Sequence, residues 1–238
     1  MINLYKASLT ERIKRTADVE SFRFLPGEKF NFSPGQFTQL IFDTEDLSNK
    51  ELNKYLSFSS APAKNYFELT KRLSDSKFSQ KLNSLKPGDP VLFSGPLGNC
   101  TFKEEYKKIG FLIGGIGITP IISIIEYISE KKLDTDVKLF YSNRTENDIA
   151  FKKELDSWAK ASKSIEINYL VTDRQSKESG KCIFGKIDKD LLLDKVKDKQ
   201  ERIFYLIGPP KMVTAMKEVC LEIGCSQDKL KIENFIGY

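Results

Sequence analysis

The stretch best suited to chemistry is Gly114-Gly115-Ile116-Gly117-Ile118-Thr119-Pro120. It follows an apolar run, Ile109–Ile113, and precedes a segment in which Ile121, Ile125 and Ile128 recur at helical spacing. Glycines allow a tight turn and let backbone N–H groups approach an anion, and a helix N-terminus adds its partial positive charge. Pro120 suits the first helical position, where its missing N–H costs nothing. The chemistry this predicts is phosphate binding. A glycine-rich β–α turn without ligand remains the alternative, because the third glycine of the usual dinucleotide fingerprint is absent. A second turn, Gly208-Pro209-Pro210, follows the apolar strand Arg202–Ile207 and reads equally well as a plain strand-to-helix connection. A third segment, Lys54–Pro62, carries a cation, hydroxyls and large apolar groups on one strand. It could line a flavin site or be an exposed amphipathic strand.

The elements around these segments change character near residue 102. The first hundred residues read as short strands between turn signals such as Ser33-Pro34-Gly35, Lys86-Pro87-Gly88-Asp89 and Gly95-Pro96-Leu97-Gly98. That pattern predicts an antiparallel barrel or sandwich, with one helix over Lys77–Leu85. From there on, strands Ile109–Ile113, Val137–Tyr141, Ile165–Val171, Arg202–Ile207 and Leu230–Phe235 alternate with helical segments. The helices are marked by Phe151, Leu155 and Trp158, by Asp190–Val196, and by Val213, Met216, Cys220 and Ile223. Such alternation predicts βαβ units and a parallel sheet. The expected domains are therefore 1–102 and 103–238.

Composition excludes several chemistries. The chain has 238 residues and no histidine. A Ser-His-Asp triad, a histidine base and a His-ligated metal are thereby ruled out. The cysteines Cys100, Cys182, Cys220 and Cys225 lack the close spacing of a zinc or iron–sulfur site, so no metal is expected. Cys220 and Cys225, late in a helix and just past Gly224, read as buried thiols. Ile109–Ile125 carries no charge, but its glycines and Pro120 favour strand, turn and helix over a membrane span. The net charge of +5 comes without a long basic run, so no nucleic-acid partner is expected. Charges within Met1–Arg15 argue against a signal peptide, and few cysteines point to the cytoplasm.

In order and spacing, these segments resemble the ferredoxin–NADP⁺ reductase-like flavoprotein family over nearly the whole chain. Pro34-Gly35-Gln36-Phe37 resembles its barrel-strand motif and Lys54–Pro62 its flavin signature. Gly114–Pro120, Tyr141-Ser142-Asn143-Arg144-Thr145, Gly208-Pro209-Pro210 and Phe235-Ile236-Gly237-Tyr238 resemble its nicotinamide domain. The resemblance implies a flavin-binding β-barrel, a C-terminal α/β nucleotide-binding domain, and FAD and NAD(P)H as cofactors. It assigns Lys54 to the flavin phosphate, Ser57 to flavin N5, Leu56 (beside Tyr55) to the place of a ring-stacking tyrosine, and Arg72 and Ser76 to further flavin contacts. Gly115, Gly117, Thr119, Pro120, Gly208 and Pro209 match the nicotinamide dinucleotide turns, and Phe235 an aromatic near the isoalloxazine. Lys54 stands where the family has an arginine, and offers a point charge instead of a bidentate fork.

The implied function is electron transfer from NAD(P)H through FAD to a separate one-electron carrier, a ferredoxin or flavodoxin. A net positive chain suits an acidic carrier. Alternatives are a flavin-binding electron-transfer subunit of a larger redox complex, or a dinucleotide-binding module without catalysis. Arg144, Thr172 and Arg174 lie where strand ends would meet the adenosine ribose, while Asp173 would repel a 2′-phosphate. The two arginines tilt the expectation slightly to NADPH.

Overall fold

The computed structural model describes residues 3–173 and 182–235. Contacts gather the chain into two units. The first holds the residues up to Phe102 together with Thr119–Tyr127; the second holds Lys103–Ile118 and the chain from Ile128 onward.

The first unit contains strands β1 (Leu4–Lys14), β2 (Val19–Pro26), β3 (Phe37–Ile41), β4 (Asn53–Ser57), β5 (Phe67–Arg72) and β6 (Pro90–Leu97), with helix α1 (Lys77–Ser84) between β5 and β6. Every pairing is antiparallel, in the order β4-β3-β6-β1-β2-β5. The chain leaving β4 returns to the opposite edge. Phe58 bridges to Leu69, and the Ser59 N–H donates to the Glu68 carbonyl at 2.8 Å, so the sheet curls into the expected barrel. Its interior is aromatic: Phe22, Phe24, Phe58, Phe67 and Phe93 are buried, and Phe32 stacks on Phe58 with ring centroids 4.0 Å apart. Helix α1 is capped by Ser76, whose hydroxyl accepts the Ser79 N–H at 3.3 Å, and it lays Phe78 and Leu82 on that core.

A carboxylate is buried in the barrel wall. Glu68 is 2% exposed and lies 2.9 Å from both Arg15 and Arg23. Around it the hydroxyls of Ser21 and Ser59 meet that of Thr70 at 2.6 and 2.7 Å, and the Ser60 hydroxyl accepts the Glu68 N–H at 3.0 Å. Burying a charge is tolerable only with such partners.

The chain then continues through β7 (Lys108–Gly114), α2 (Thr119–Lys131), β8 (Asp136–Asn143), α3 (Lys152–Ala161), β9 (Ile165–Val171), β10 (Ile183–Phe184), α4 (Lys189–Lys195), β11 (Ile203–Gly208), α5 (Pro210–Glu222) and β12 (Leu230–Asn234). The six strands form a wholly parallel sheet, β10-β9-β8-β7-β11-β12. Helices α4 and α5 cover one face through Leu192, Val196, Val213 and Met216, packed with Leu112, Phe140, Leu170 and Leu206. Arg202, 1% exposed, ties the amino ends of three strands together. It makes two bonds to the Asp198 carboxylate, at 2.7 and 3.0 Å, and donates to the carbonyls of Ile109 and Asp136 at 3.0 and 3.2 Å.

Two details depart from the sequence pattern. Strand β10 is too short to have carried a signal. The glycine turn is itself helical, a 3₁₀ turn over Gly115–Ile118 that runs directly into α2. The uncharged run Ile109–Ile125 thus divides into strand, turn and helix, and no helix among the described residues is long and apolar enough to cross a membrane. Cys220 and Cys225 are buried where α5 ends, with the Cys225 N–H donating to the Cys220 carbonyl at 2.9 Å across Gly224.

Removing the Glu68 carboxylate would take a partner from the buried Arg15 guanidinium and leave it beside Arg23, which keeps Glu11. Glu68→Ala is expected to lower unfolding free energy by about 3–5 kcal/mol in a denaturant titration. A loss under about 1 kcal/mol would show that water readily replaces the carboxylate.

Candidate functional site

In an open parallel sheet, ligands bind beyond the carboxyl ends of the strands, where the strand order reverses. Here β7 lies between β8 and β11, so the reversal falls between β7 and β11. Their outgoing turns are the glycine turn and Gly208-Pro209, two of the three segments the sequence singles out. Gly115 has φ +52, and a Cβ placed there meets nothing within 4 Å. At Gly117 the reverse holds: an added Cβ would lie 2.7 Å from the Ile207 carbonyl oxygen. One glycine opens a space and the other presses the turn onto β11. Thr119 and Pro120 are buried in the first turn of α2. Gly208 is buried, Pro209 exposed, and the Phe235 N–H donates to the Gly208 carbonyl at 3.0 Å.

Two polar side chains at this edge have buried atoms without partners. Asn143, the last residue of β8, is 6% exposed, and neither its amide nitrogen nor its amide oxygen makes a hydrogen bond. Glu233, opposite Ile207 in the β11–β12 register, has a buried carboxyl oxygen without one. Burial pushes its pKa up to about 7. Sequence reasoning missed both. An amide in Ser-Asn-Arg reads as a turn residue, and Glu233 as an ordinary surface acid in an edge strand.

Nearby, Arg144 is exposed and its Nε lies 3.6 Å from an Asp173 carboxyl oxygen. The Thr172 N–H reaches the carbonyls of Asn143 and Arg144 at 3.1 and 3.2 Å, while Thr172 itself is exposed. Arg174 lies outside the described residues.

In the barrel unit, β4 presents Lys54 half-buried, Tyr55 exposed and edge-on to Phe37 at 5.7 Å, Leu56 half-buried against the core, and Ser57 buried. Lys71 on β5, passed over in the sequence in favour of its neighbour Arg72, proves the more informative cation. Burial, and then the charge of Lys54, hold its pKa below the usual lysine value. Neither Lys54 nor Lys71 makes an ion pair or hydrogen bond among the described residues. Arg72 has its Nε 3.1 Å from Asp18, and Ser76 caps α1. Two cations close enough for one to hold the other's pKa down fit an anionic ligand. The segment that follows is held from α2, where the Glu126 carboxylate accepts the Ala61 N–H at 2.6 Å and lies 3.1 Å from the Lys64 ammonium. No cluster able to hold a metal occurs among the described residues.

The groups at both places suit nucleotide cofactors. Lys54 and Lys71 would hold a flavin phosphate, and the glycine turn with the start of α2 would hold the diphosphate of a nicotinamide dinucleotide.

The Glu233 shift has a sign that can be checked. The folded pKa, about 7, exceeds the ordinary value of 4.5, so the folded state binds the extra proton between these pH values. Stability therefore falls as pH rises through that window, and the full penalty is present above it. Glu233→Gln is expected to stabilise the protein at pH 8 by at most roughly 3 kcal/mol and to change little at pH 4.5. Thermal unfolding at the two pH values checks this.

Comparison with known proteins agrees with this geometry. A family model described as the oxidoreductase FAD-binding domain matches residues 6–102, and one described as the oxidoreductase NAD-binding domain matches residues 111–218. The chain is 31% identical to NADH-cytochrome b5 reductase 1 of Scheffersomyces stipitis over 189 residues, 77% of this chain and 66% of that protein. It is 28% identical to the glycine betaine monooxygenase reductase subunit of Chromohalobacter salexigens over 231 residues, 94% of this chain and 62% of that one. Among solved structures, a ferredoxin NADP⁺ reductase from Neisseria gonorrhoeae with bound FAD and NADP shares the fold, with a TM-score of 0.82 at 20% identity over 98% of this chain and 99% of that one. The chain spans between about half and two thirds of the length of the first curated relatives it matches. It belongs to the ferredoxin–NADP⁺ reductase-like family of flavin oxidoreductases, in which a FAD-binding domain is followed by a NAD-binding domain.

Proposed function

We propose that this chain oxidises NADH through FAD and passes the electrons one at a time to a separate, acidic carrier protein. The observation that supports it best is the pair of neighbouring cations, Lys54 and Lys71, neither in a hydrogen bond or ion pair among the described residues, in a barrel matched by the FAD-binding model. FAD supplies the chemistry when bound: it takes a hydride from reduced nicotinamide and can release single electrons. On this reading residues 1–102 are the flavin domain and 103–238 the nicotinamide domain.

The residue roles follow from their chemistry. Lys54 and Lys71 neutralise the flavin phosphate, and Leu56 covers the ring with aliphatic surface. Ser57 offers its hydroxyl to N5. Arg72 and Ser76 flank the phosphate end, and Glu126 keeps the Ala61 turn in place through its 2.6 Å bond. Gly115, Gly117, Thr119 and Pro120 receive the dinucleotide's diphosphate at the helix start. Gly208, Pro209 and Phe235 border the nicotinamide, and Glu233 keeps a proton there near neutral pH. With no histidine in the chain, hydride transfer must proceed without an imidazole relay.

The pairing of Arg144 with Asp173 favours NADH over NADPH, against the tilt of the sequence alone. The carboxylate draws on the guanidinium's charge, would accept a bond from a ribose 2′-hydroxyl, and would repel a 2′-phosphate. Several relatives carry NADH and cytochrome b5 in their names, which supports a b5-like haem carrier as acceptor beside a ferredoxin.

Purified protein is expected to be yellow and to bleach anaerobically on mixing with NADH, faster than with NADPH. Protein that stays colourless after incubation with FAD overturns the reading. In the same stopped-flow experiment, Ser57→Ala should retain flavin and slow its reduction about tenfold or more. An unchanged rate removes Ser57 from the chemistry. Turnover with cytochrome b5 should fall steeply as salt rises, as screening of an oppositely charged encounter requires. Salt-independent turnover would exclude electrostatic docking.

A further inference from the structure

We propose that Cys220 and Cys225 form a site of reversible oxidation, closing an intramolecular disulfide when the protein meets a peroxide. Spacing and local fold bring the pair together. Helix α5 ends in a Schellman-type stop: the Gly224 N–H donates to the Leu221 carbonyl at 3.0 Å, the Cys225 N–H donates to the Cys220 carbonyl at 2.9 Å, and Gly224 takes a φ of +90. In that motif the side chains at the two ends of the longer loop meet, and an apolar pair frequently fills the two places. Here both are thiols. They are hydrogen-bonded to each other, and both are free cysteines.

The two sulfurs are not equivalent, and the difference orders the steps. Cys220 is fully buried in α5, and its bond to Cys225, then burial, raise its pKa. The same bond, with the charges of Lys199 and Lys229, holds the Cys225 thiol below its ordinary value against the opposing effect of burial. Cys225 lies just under the surface, between the exposed Gly224 and Ser226, and as a thiol it donates to the Lys199 carbonyl at 3.7 Å. The Cys225 thiolate therefore attacks first. Its sulfur takes one peroxide oxygen as the O–O bond breaks, giving a sulfenic acid and hydroxide. The Cys220 sulfur then attacks the Cys225 sulfur, the S–O bond breaks, and the Cys220 proton leaves with that oxygen as water. Two thiols are oxidised and one peroxide is reduced. The two cap bonds already hold the backbone, so closing the sulfurs to about 2.05 Å falls to side-chain rotation. The bridge fastens the end of α5 to the chain that leads into β12.

The test treats the full chain, reduced with dithiothreitol and desalted, with a small excess of hydrogen peroxide, then alkylates it after unfolding and maps its peptides. Both cysteines fall in one tryptic peptide, Glu218–Lys229. That peptide should lose both alkylation sites and become lighter than its unalkylated reduced form by about 2 Da, and dithiothreitol should reverse the change. Cys220→Ala should leave Cys225 as a sulfenic acid that dimedone captures, while Cys225→Ala should leave Cys220 a free thiol. The reverse pattern overturns the order of attack. Mapping of the parent alone decides the matter should either variant not fold. The proposal is overturned if both cysteines of the parent remain free thiols, if either pairs with Cys100 or Cys182 instead, or if oxidation runs on to sulfinic acid without a bridge.

Discussion

Much of the parallel-sheet unit depends on one short approach. The Gly117 backbone lies so close to the Ile207 carbonyl that a single methyl group would be 2.7 Å from it. Hard-sphere repulsion at that distance is prohibitive, so only glycine lets the turn leaving β7 rest on β11. That contact allows the 3₁₀ turn to begin at once and α2 to follow without a loop. The free N–H groups of a helix start are thereby delivered to the point where strand order reverses. Larger residues would move the turn outward and take the helix start away from β11.

Charge burial plays the corresponding part elsewhere. Glu68 with Arg15 and Arg23 in the barrel, and Arg202 with Asp198 at the amino ends of the parallel strands, are ionic clusters satisfied almost entirely by protein atoms. They contribute little net attraction for their cost of desolvation, but they make alternative strand registers expensive, since any slip would strand a charge. Polar atoms lacking partners include those of Asn143 and Glu233 at the carboxyl edge. Each of these costs stability in the absence of ligand.

Most of the fold was legible in the residues. Alternation and turn chemistry gave the barrel strands, and apolar runs with helical spacing gave the βαβ order, because both periods are fixed by backbone geometry. Strand β10 was not legible: two residues have no period. The site was legible where the backbone does the binding, since glycines at Gly115 and Gly117 leave a mark in the sequence. It was hidden where side chains do. Lys71 and Arg72 are adjacent cations, and only the three-dimensional arrangement shows which one faces Lys54 and which one pairs with Asp18. Asn143 and Glu233 are ordinary residue types whose isolation appears only once their surroundings are known.

The repulsion between Lys54 and Lys71 bears on how the chain fares in a cell. If a flavin phosphate binds beside these two cations, a newly made barrel keeps that repulsion until the vitamin-derived nucleotide arrives. Binding to the folded state alone draws the population toward it, and the unliganded fraction is what proteases remove. Abundance of this protein would then track riboflavin supply even when its messenger level is constant, and dietary or biosynthetic shortage would act on it through turnover before any effect on catalysis.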